Sequence, residues 1–424
     1  MSKLYENEQA ASRKAIVAAI DTGQYDVDVS LAELRELAAT ADIECLAEVV
    51  QKRETLDRAT AIGSGKLEEI ALFCYNTGAD LVLFDHELSS LQMRNIEDIC
   101  EVGVMDRTML ILEIFSSRAR SAEGRLQVEL AKSKYLLPRL TGMGVELSRL
   151  GGGGGGAGAG ARRGKGETML ELNRRTIREK IRALESQLEQ LAERRSNLRQ
   201  RRKKTDTLTV AVVGYTNVGK STLLNALTGA GVLAENKLFA TLDPTARALT
   251  LPDGRSVLLI DTVGLVRRLP HHLVQAFRST LEEAVHADLI LNVCDISSPE
   301  ASDQIQVTRE LLEDLSLGDT PILNVLNKAD KISEPPSPLG DHVAVISAKT
   351  GDGLDELLRK IALLLPEGSR RLKLLIPYAQ GNLIAEIRKE GKVFSEEFEG
   401  EGILLDALVQ HKLLHKVQGF IVAR

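Results

Sequence analysis

A glycine-rich segment with one lysine and one serine has the residue types that hold phosphate groups. It reads Gly214-Tyr-Thr-Asn-Val-Gly-Lys-Ser221, follows the apolar run 208–213 and precedes the helix-forming run TLLNALTG. This order of strand, GxxxxGK[ST] and helix is that of a P-loop, whose backbone N–H groups surround phosphates while the lysine neutralises charge and the serine binds Mg²⁺. The predicted phosphate-binding residues are Gly214, Tyr215, Thr216, Asn217, Val218, Gly219, Lys220, Ser221 and Thr222.

Asp261 follows the next apolar run, 257–260, and begins the sequence Asp-Thr-Val-Gly. This order predicts a carboxylate at the end of a strand, facing the phosphates. Asp261 would hold Mg²⁺ through a water, and the amide of Gly264 would contact the γ-phosphate. A threonine between the two motifs must complete the Mg²⁺ shell, and we predict Thr241, with Thr245 as the alternative. The further nucleotide contacts predicted here are Phe239, Ala240, Leu242, Asp243, Thr262 and Val263.

Two later motifs indicate which base is bound. Asn327-Lys328-Ala329-Asp330 follows the apolar run 322–326, and Ser347-Ala348-Lys349 follows the run 343–346. Asp330 would accept hydrogen bonds from the N1–H and 2-amino groups of guanine, Lys328 would pack along the base, and a backbone amide of the later motif would bind O6. This selects guanine over adenine and disfavours an ATP-driven kinase or helicase.

The four motifs predict a GTPase with Lys220, Thr241, Asp261 and Gly264 in catalytic roles, and with Ser221 and Thr241 as metal ligands. Their order resembles the translation-factor-like branch of P-loop GTPases, which have a mainly parallel sheet with helices on both faces. Leu265 follows Gly264, where Ras-like proteins carry a glutamine that orients the attacking water. Leucine cannot do this, so we expect slow hydrolysis until a partner or a potassium-like cation supplies what is missing.

Composition limits the class of protein that carries this site. The chain has 424 residues, 43% of them hydrophobic, which is enough for two or three cores. Its net charge of −6 argues against a protein that coats nucleic acid over its whole surface. Four widely spaced cysteines give no zinc or disulfide pattern, and no apolar run approaches a membrane span. We therefore expect a cytoplasmic protein. A monomer is the expected oligomeric state, although none of these observations determines it.

Periodicity divides the chain into four predicted segments. Apolar runs alternate with helical stretches at the N-terminus, and a glycine run then separates two helical stretches that can pair antiparallel. The segment 161–204 has a leucine-rich heptad stripe and a net charge of +9. The predicted segments are an α/β domain at 1–117, a helical hairpin at 118–204 with its Gly-rich tip at 151–166, a GTPase domain at 205–367 and a small α/β domain at 368–424.

The hairpin and two features of the N-terminal segment allow more than one interpretation. The basic helix is either a solvated face, a coiled coil for a protein partner, or a contact for RNA phosphates. The short sequence Gly63-Ser-Gly-Lys66 lacks the length of a P-loop, and a helix start is favoured over a second nucleotide site. His86 lies between two acidic residues, and a surface turn explains it without a catalytic role.

Several segments of the N-terminal half resemble the HflX family of ribosome-associated GTPases. They are Ile62–Lys66, Phe84–Glu97, Val104–Thr108, Arg118–Leu130, Leu150 with its glycine run, and Gly166–Arg175. The resemblance implies that the N-terminal domain and hairpin bind the large (50S) ribosomal subunit, with the tip near rRNA of the peptidyl transferase centre. It also implies a role in ribosome splitting, rescue or recycling under stress, with GTP favouring the bound state.

The glycine tip departs from the family pattern GGGIGTRGPGETQLE. Aligned on the shared GET, its isoleucine, threonine and proline become Gly160, Arg162 and Lys165. Arg162 and Lys165 add positive charge where the family pattern has threonine and proline, so the RNA-contact interpretation stays open. The alternative is a regulatory GTPase whose coiled coil binds another protein rather than the ribosome.

Overall fold

A computed structural model describes the chain as two compact units. The described residues are 13–150, 161–204, 207–229, 238–239, 245–268, 273, 286–314, 320–334, 340–366 and 370–422. The first unit comprises residues 1–192 with two later segments, 235–243 and 266–278, and the second comprises 193–234, 244–265 and 279–424. The two later segments of the first unit therefore lie, in sequence, among the predicted nucleotide motifs.

The first unit is built on a four-stranded parallel sheet with the strand order β2-β1-β3-β4. The run AIVAAI in β1 is fully buried, as expected for a central parallel strand. Its strands are β1 (Arg13–Asp21), β2 (Ile43–Lys52), β3 (Leu81–Phe84) and β4 (Gly103–Asp106), and its helices before the hairpin are α1 (Val27–Thr40), α2 (Ser64–Thr77), α3 (Ser90–Cys100) and α4 (Arg107–Arg118). The predicted N-terminal α/β fold is confirmed.

The structure decides the two open interpretations of the N-terminal segment. Helix α2 begins at Ser64, and Lys66 makes an ion pair with Glu69 at 2.8 Å, so the short glycine segment starts a helix. The surface-turn interpretation of His86 is wrong, because only 7% of the residue is exposed. Burial and the charge of Arg268 lower the pKa of His86 to about 4. Its ring nitrogen Nε2 lies 2.9 Å from the hydroxyl of Tyr25.

Two long helices, α5 (Ala122–Leu150) and α6 (Ala161–Lys204), follow in the chain. The predicted stripe of α6 is its less exposed side, since Leu184 is buried and Ile177, Ile181, Leu188 and Leu191 are half-buried. Ion pairs join the helices, from Lys134 to Glu185 at 2.8 Å and from Lys180 to Glu129 at 2.7 Å. The glycine run 151–160 lies outside the described residues.

The second unit contains a six-stranded sheet with the order β10-β9-β8-β5-β7-β6, in which only β6 is antiparallel to its neighbour. Every residue of the central strand β5 is buried. The strands are β5 (Leu208–Gly214), β6 (Thr245–Thr250), β7 (Ser256–Asp261), β8 (Leu289–Asp295), β9 (Ile322–Asn327) and β10 (Val343–Val345), and the described helices are α7 (Lys220–Thr228), α8 (Ala301–Asp314) and α9 (Leu354–Leu364). The parallel strands bring their carboxyl ends to one edge.

The C-terminal part of the second unit has its own three-stranded sheet and core. Strands β11 (Arg370–Ile376) and β12 (Lys392–Phe398) flank β13 (Ile403–Val409), which is antiparallel to both. Helix α10 (Gly381–Glu390) connects the two outer strands, and α11 (His411–Val417) follows the sheet. Strands β11 and β12 with α10 form a split βαβ unit, in which β13 is inserted between the two strands.

No helix among the described residues has the length and apolar character needed to cross a bilayer. Of the four free cysteines, Cys45 is half-buried and the other three are buried.

Candidate nucleotide site

The glycine-rich loop connects β5 to α7 and depends on glycine at both ends. Gly214 and Gly219 have φ values of 145° and 94°, a region that disfavours other residues. A Cβ atom at Gly214 would clash with the carbonyl of Val293, and one at Gly219 would clash with the amide of Asn327. The loop therefore packs against the ends of β8 and β9, where only glycine fits.

Lys220 lies inside this loop at the start of α7. Its Nζ donates hydrogen bonds to the carbonyls of Gly214, at 3.1 Å, and Tyr215, at 2.6 Å. Only 7% of the residue is exposed, and burial lowers the pKa of the ammonium to about 8, against an opposing effect of Asp261. A desolvated cation surrounded by backbone amides is suited to binding phosphate oxygens.

Asp261 ends β7 beside the loop and is fully buried. The hydroxyl of Ser221 donates a hydrogen bond to Asp261 Oδ2 at 3.2 Å, and that of Thr262 donates to the carbonyl of Val212 at 2.7 Å. A carboxylate and a hydroxyl at this separation provide the hard oxygen donors that Mg²⁺ prefers. The donor set therefore fits the predicted metal.

The Asp-Thr-Val-Gly loop is tied to the P-loop through backbone groups. Leu265 donates its N–H to the carbonyl of Gly214 at 3.1 Å, and its carbonyl accepts the N–H of Thr216 at 2.8 Å. A Cβ atom at Gly264 would lie 2.7 Å from Cγ2 of Thr216 and 3.1 Å from Nζ of Lys220. Glycine at 264 therefore permits the close approach, while the side chain of Leu265 joins the hydrophobic core.

Asn327 connects three of the motifs. Its Nδ2 donates to the carbonyl of Val218 at 2.7 Å, and its Oδ1 accepts the N–H of Ala348 at 2.9 Å. The side chain is buried and thus fixes the P-loop and the 347–349 loop relative to the end of β9. Ser347, Ala348 and Lys349 follow β10 as the sequence predicted.

The carboxylate of Asp330 is oriented by Ser347. The Ser347 hydroxyl donates to Asp330 Oδ1 at 2.7 Å, and this hydrogen bond holds the pKa of the carboxyl below its usual value. Asp330 is therefore ionised and able to accept two hydrogen bonds. Ala329 and Asp330 lie in a short 3₁₀ turn, preceded by Lys328 at a φ of 65°.

Sequence reasoning missed the partner of Lys328. Asp295, at the end of β8, forms an ion pair with Lys328 Nζ at 2.6 Å. Because this pair restrains the lysine, Asp295 helps to set the position of the chain that leads to Asp330. The sequence LILNVCD, an apolar run that ends in an acidic residue, could have indicated Asp295 as a strand-end residue of the site.

The predicted segment 239–243 is described only at Phe239. This ring is buried and packs edge-on against Phe115, with 4.5 Å between ring centroids. Ala240, Thr241, Leu242 and Asp243 lie outside the described residues, so the metal-ligand assignment of Thr241 stays a prediction. The alternative, Thr245, begins β6 opposite Asp261 in the strand register.

A mainly parallel sheet whose carboxyl edge carries the P-loop, DTVG, NKAD and SAK motifs defines a guanine-nucleotide-binding P-loop GTPase. Three family models match this chain. Their descriptions are GTP-binding GTPase N-terminal over residues 28–116, GTP-binding GTPase Middle Region over 118–202, and 50S ribosome-binding GTPase over 209–328.

Comparison with curated relatives identifies the family of GTPases to which the chain belongs. The chain is 48% identical over 411 residues to GTPase HflX of Caldanaerobacter subterraneus subsp. tengcongensis, covering 97% of this chain and 94% of the relative. It is 44% identical over 416 residues to GTPase HflX of Lacrimispora saccharolytica, covering 97% of each. The chain belongs to the HflX family of GTPases, and it is an enzyme that hydrolyses GTP.

Solved structures with a similar backbone include a GTP-binding protein from the hyperthermophilic archaeon Sulfolobus solfataricus in complex with GDP. The identity is 24% and the TM-score 0.45, with 83% of this chain and 98% of that chain covered.

Proposed function

We propose that this GTPase binds the large ribosomal subunit through its basic hairpin and acts in ribosome splitting, rescue or recycling under stress, with GTP favouring the bound state. The observation that carries the proposal is the solvent-exposed charge of α6. Arg178 and Arg182 are exposed one turn apart, and the helix reaches roughly 66 Å at 1.5 Å per residue. A long cationic rod of this kind suits an RNA-lined cavity. The match of residues 209–328 to a model described as 50S ribosome-binding GTPase supports the same partner.

The nucleotide site supplies the switch. Lys220 and the loop amides would hold the β- and γ-phosphates, and Gly264 would contact the γ-phosphate through its amide. Ser221 and Thr241 would bind Mg²⁺ directly and Asp261 through a water, and the ion would neutralise charge that develops on the phosphates. Loss of the γ-phosphate removes the contact at Gly264, which gives the protein two states.

Hydrolysis by the protein alone is expected to be slow. The side chain of Leu265 is packed in the core and offers no hydrogen-bonding atom to a water. A group that orients the attacking water must then come from elsewhere, and the ribosomal partner is the natural source. The partner would thereby set the lifetime of the GTP-bound state.

The alternative partner is a protein that pairs with the leucine-rich stripe of α6. Leu184 is already buried in the isolated chain, and the other described stripe residues are half-buried. Little of the stripe is left for a second protein, whereas Arg178 and Arg182 are exposed to solvent. The structure thus favours the charged face over the apolar stripe as the binding surface.

Sedimentation of purified large subunits tests the proposed partner. The protein should pellet with subunits in a nonhydrolysable GTP analogue and much less in GDP. Because exposed cations would bind RNA phosphates, raising salt from 50 to 200 mM should weaken binding about tenfold or more. An apolar contact would respond little to salt.

Charge reversal locates the contact. The double variant Arg178→Glu/Arg182→Glu should lose binding, while the control Lys373→Glu/Lys389→Glu, at two exposed positions of β11 and α10, should retain it. Failure to pellet under any nucleotide condition would rule out the large subunit as partner. Equal behaviour of the two double variants would rule out the hairpin as its contact.

A further inference from the structure

The base of the hairpin is fixed to the N-terminal α/β fold by three side chains, which we call the hairpin anchor: Asp106, Tyr135 and Arg139. Asp106 ends β4, whereas Tyr135 and Arg139 lie one turn apart in α5. All three residues belong to the first unit, and the predicted nucleotide motifs include none of them. The hairpin anchor therefore ties α5 to the edge of the sheet within one unit.

Asp106 is the centre of the hairpin anchor and is fully buried. Its Oδ1 accepts the N–H of Met109 at 2.8 Å and thereby caps α4. Its Oδ2 accepts the N–H of Leu88 at 3.0 Å and the hydroxyl of Tyr135 at 2.8 Å. Burial raises the pKa of Asp106, and these hydrogen bonds and the nearby Arg139 oppose the shift. One carboxyl group therefore joins β4, α4, the loop before α3, and α5.

Arg139 binds the same loop a second time. Its guanidinium donates to the carbonyl of Leu88 from Nε at 3.2 Å and from Nη2 at 2.9 Å, and it pairs with Glu87 at 2.8 Å. It also stacks on the ring of Tyr135, with 3.5 Å between its central carbon and the ring centroid. Both backbone groups of Leu88 are thus bound by the hairpin anchor, the N–H by Asp106 and the carbonyl by Arg139.

A proline gives the position of the hairpin anchor in α5 its significance. Pro138 lies inside the helix and has no N–H to donate to the carbonyl of Lys134. Sharp bends in helices occur mostly at such positions. Tyr135 precedes Pro138 and Arg139 follows it, so the hairpin anchor holds the helix on both sides of its weakest point.

The direction of α5 beyond Pro138 matters because the helix continues well past it. From Pro138 to Leu150, the last residue of α5, the helix rises roughly 18 Å at about 1.5 Å per residue. A kink of about 20° at the proline would move that end by roughly 6 Å. Polar contacts with a rigid partner do not survive such a shift, since donor and acceptor must lie within about 3.2 Å of each other.

We infer that Asp106, Tyr135 and Arg139 are positioning residues that fix the direction of the hairpin and thereby its affinity for the large ribosomal subunit. This role in affinity rests on the proposed function, in which the exposed arginines of α6 bind RNA. A hairpin that is held in one direction loses little conformational entropy when it binds. A weakened anchor leaves every charge of α6 in place but allows other directions, so binding becomes weaker.

The direction of the hairpin is measured with Tyr135→Phe in the full chain, because this variant removes one hydroxyl and changes no charge. Spin labels at Asn76 and Ser186, two exposed positions of α2 and α6, report the distance between the N-terminal fold and the hairpin. Cys45 is replaced by serine, and the remaining native cysteines are buried. Tyr135→Phe should widen the distribution of this distance at least about twofold.

Binding is measured by sedimentation with large subunits in a nonhydrolysable GTP analogue. Tyr135→Phe should lower the affinity about fivefold or more and change basal GTP hydrolysis less than about twofold. The matched control, Tyr378→Phe, removes a hydroxyl that donates to the carbonyl of Glu399 at 2.6 Å in the second unit. This control should change neither the affinity nor the spin-label distances.

A second variant covers the case in which Tyr135→Phe does not fold. Arg139→Lys keeps the positive charge but not the paired hydrogen bonds to Leu88, and should also widen the distances and weaken binding. Unchanged distances in the folded variants would overturn the inference, as would wider distances with unchanged binding. If the unmodified protein does not pellet with large subunits, the proposed function fails and the role in affinity with it, while the distances alone decide whether the three residues fix the hairpin.

Discussion

Replacing Lys220 with alanine is expected to lower affinity for GTP by about a hundredfold or more, since charged hydrogen bonds to the phosphates are lost. The ammonium is buried inside the P-loop and makes its hydrogen bonds to loop carbonyls. Alanine would leave those carbonyls and the incoming phosphates without a donor. Titration of a fluorescent GTP derivative in the presence of Mg²⁺ measures the loss.

The matched control is Lys373→Ala, which removes an exposed lysine from β11. This variant should bind as tightly as the unmodified protein. If Lys220→Ala bound GTP within about twofold of wild type, the assignment of residues 214–221 as the phosphate loop would be incorrect.

The same lysine predicts how GTP binding varies with pH. Burial lowers the pKa of Lys220 to about 8, and bound phosphates raise it again because they stabilise the ammonium. The bound state then retains the proton, so affinity is fully present below about pH 8 and is lost as pH rises through that value. The slope should disappear in Lys220→Ala, which has no group to titrate there.

Replacing Asp330 with asparagine is expected to exchange guanine for xanthine as the preferred base. The oxygen of an asparagine amide can still accept a hydrogen bond from N1–H. Its NH₂ group, however, faces the 2-amino group of guanine, and two donors cannot form a hydrogen bond. Xanthine carries an oxygen at that place and accepts the new hydrogen bond. Affinity for GTP should fall roughly a hundred- to a thousandfold and that for xanthosine triphosphate should rise.

Competition between the two triphosphates measures this exchange directly. Asp355→Asn, at an exposed position in the first turn of α9, is the matched control and should keep its preference for GTP. An Asp330→Asn protein that still preferred GTP would show that this carboxylate does not contact the base.

The motifs could be located from sequence because each follows a buried strand. In a parallel sheet the carboxyl ends meet at one edge, so Gly214, Asp261 and Asn327 are brought together by topology alone. The hydrogen bonds of Asn327 to Val218 and Ala348 show how closely they meet. The residue pattern of each motif and the parallel order of the strands were therefore sufficient to place these three residues at one edge of the sheet.

Contacts between residues distant in sequence were not predictable in this way. Asp85 and Arg268 form a hydrogen bond although they are 183 residues apart in sequence, and no periodicity relates them. His86 was assigned to the surface because its neighbours are acidic, yet burial among Tyr25, Asp85 and Arg268 depends on tertiary packing. Strand β4 has only four residues, two of them a glycine and an aspartate, so its sequence has little strand character of its own.

The role of Thr241 stays a prediction, because residues 240–244 lie outside the described parts of the chain. The division of the chain into four segments likewise stays a prediction. The two compact units have different boundaries and do not test it.

The central claim is that this GTPase is slow alone and is accelerated by the large ribosomal subunit. Its most direct test is single-turnover GTP hydrolysis, measured with and without purified large ribosomal subunits. The protein alone should hydrolyse GTP slowly, because Leu265 cannot orient water, and the rate should rise at least about tenfold, saturably, with added subunits. Hydrolysis at roughly tens per second by the protein alone, or a rate that saturating large subunits leave unchanged, would contradict it.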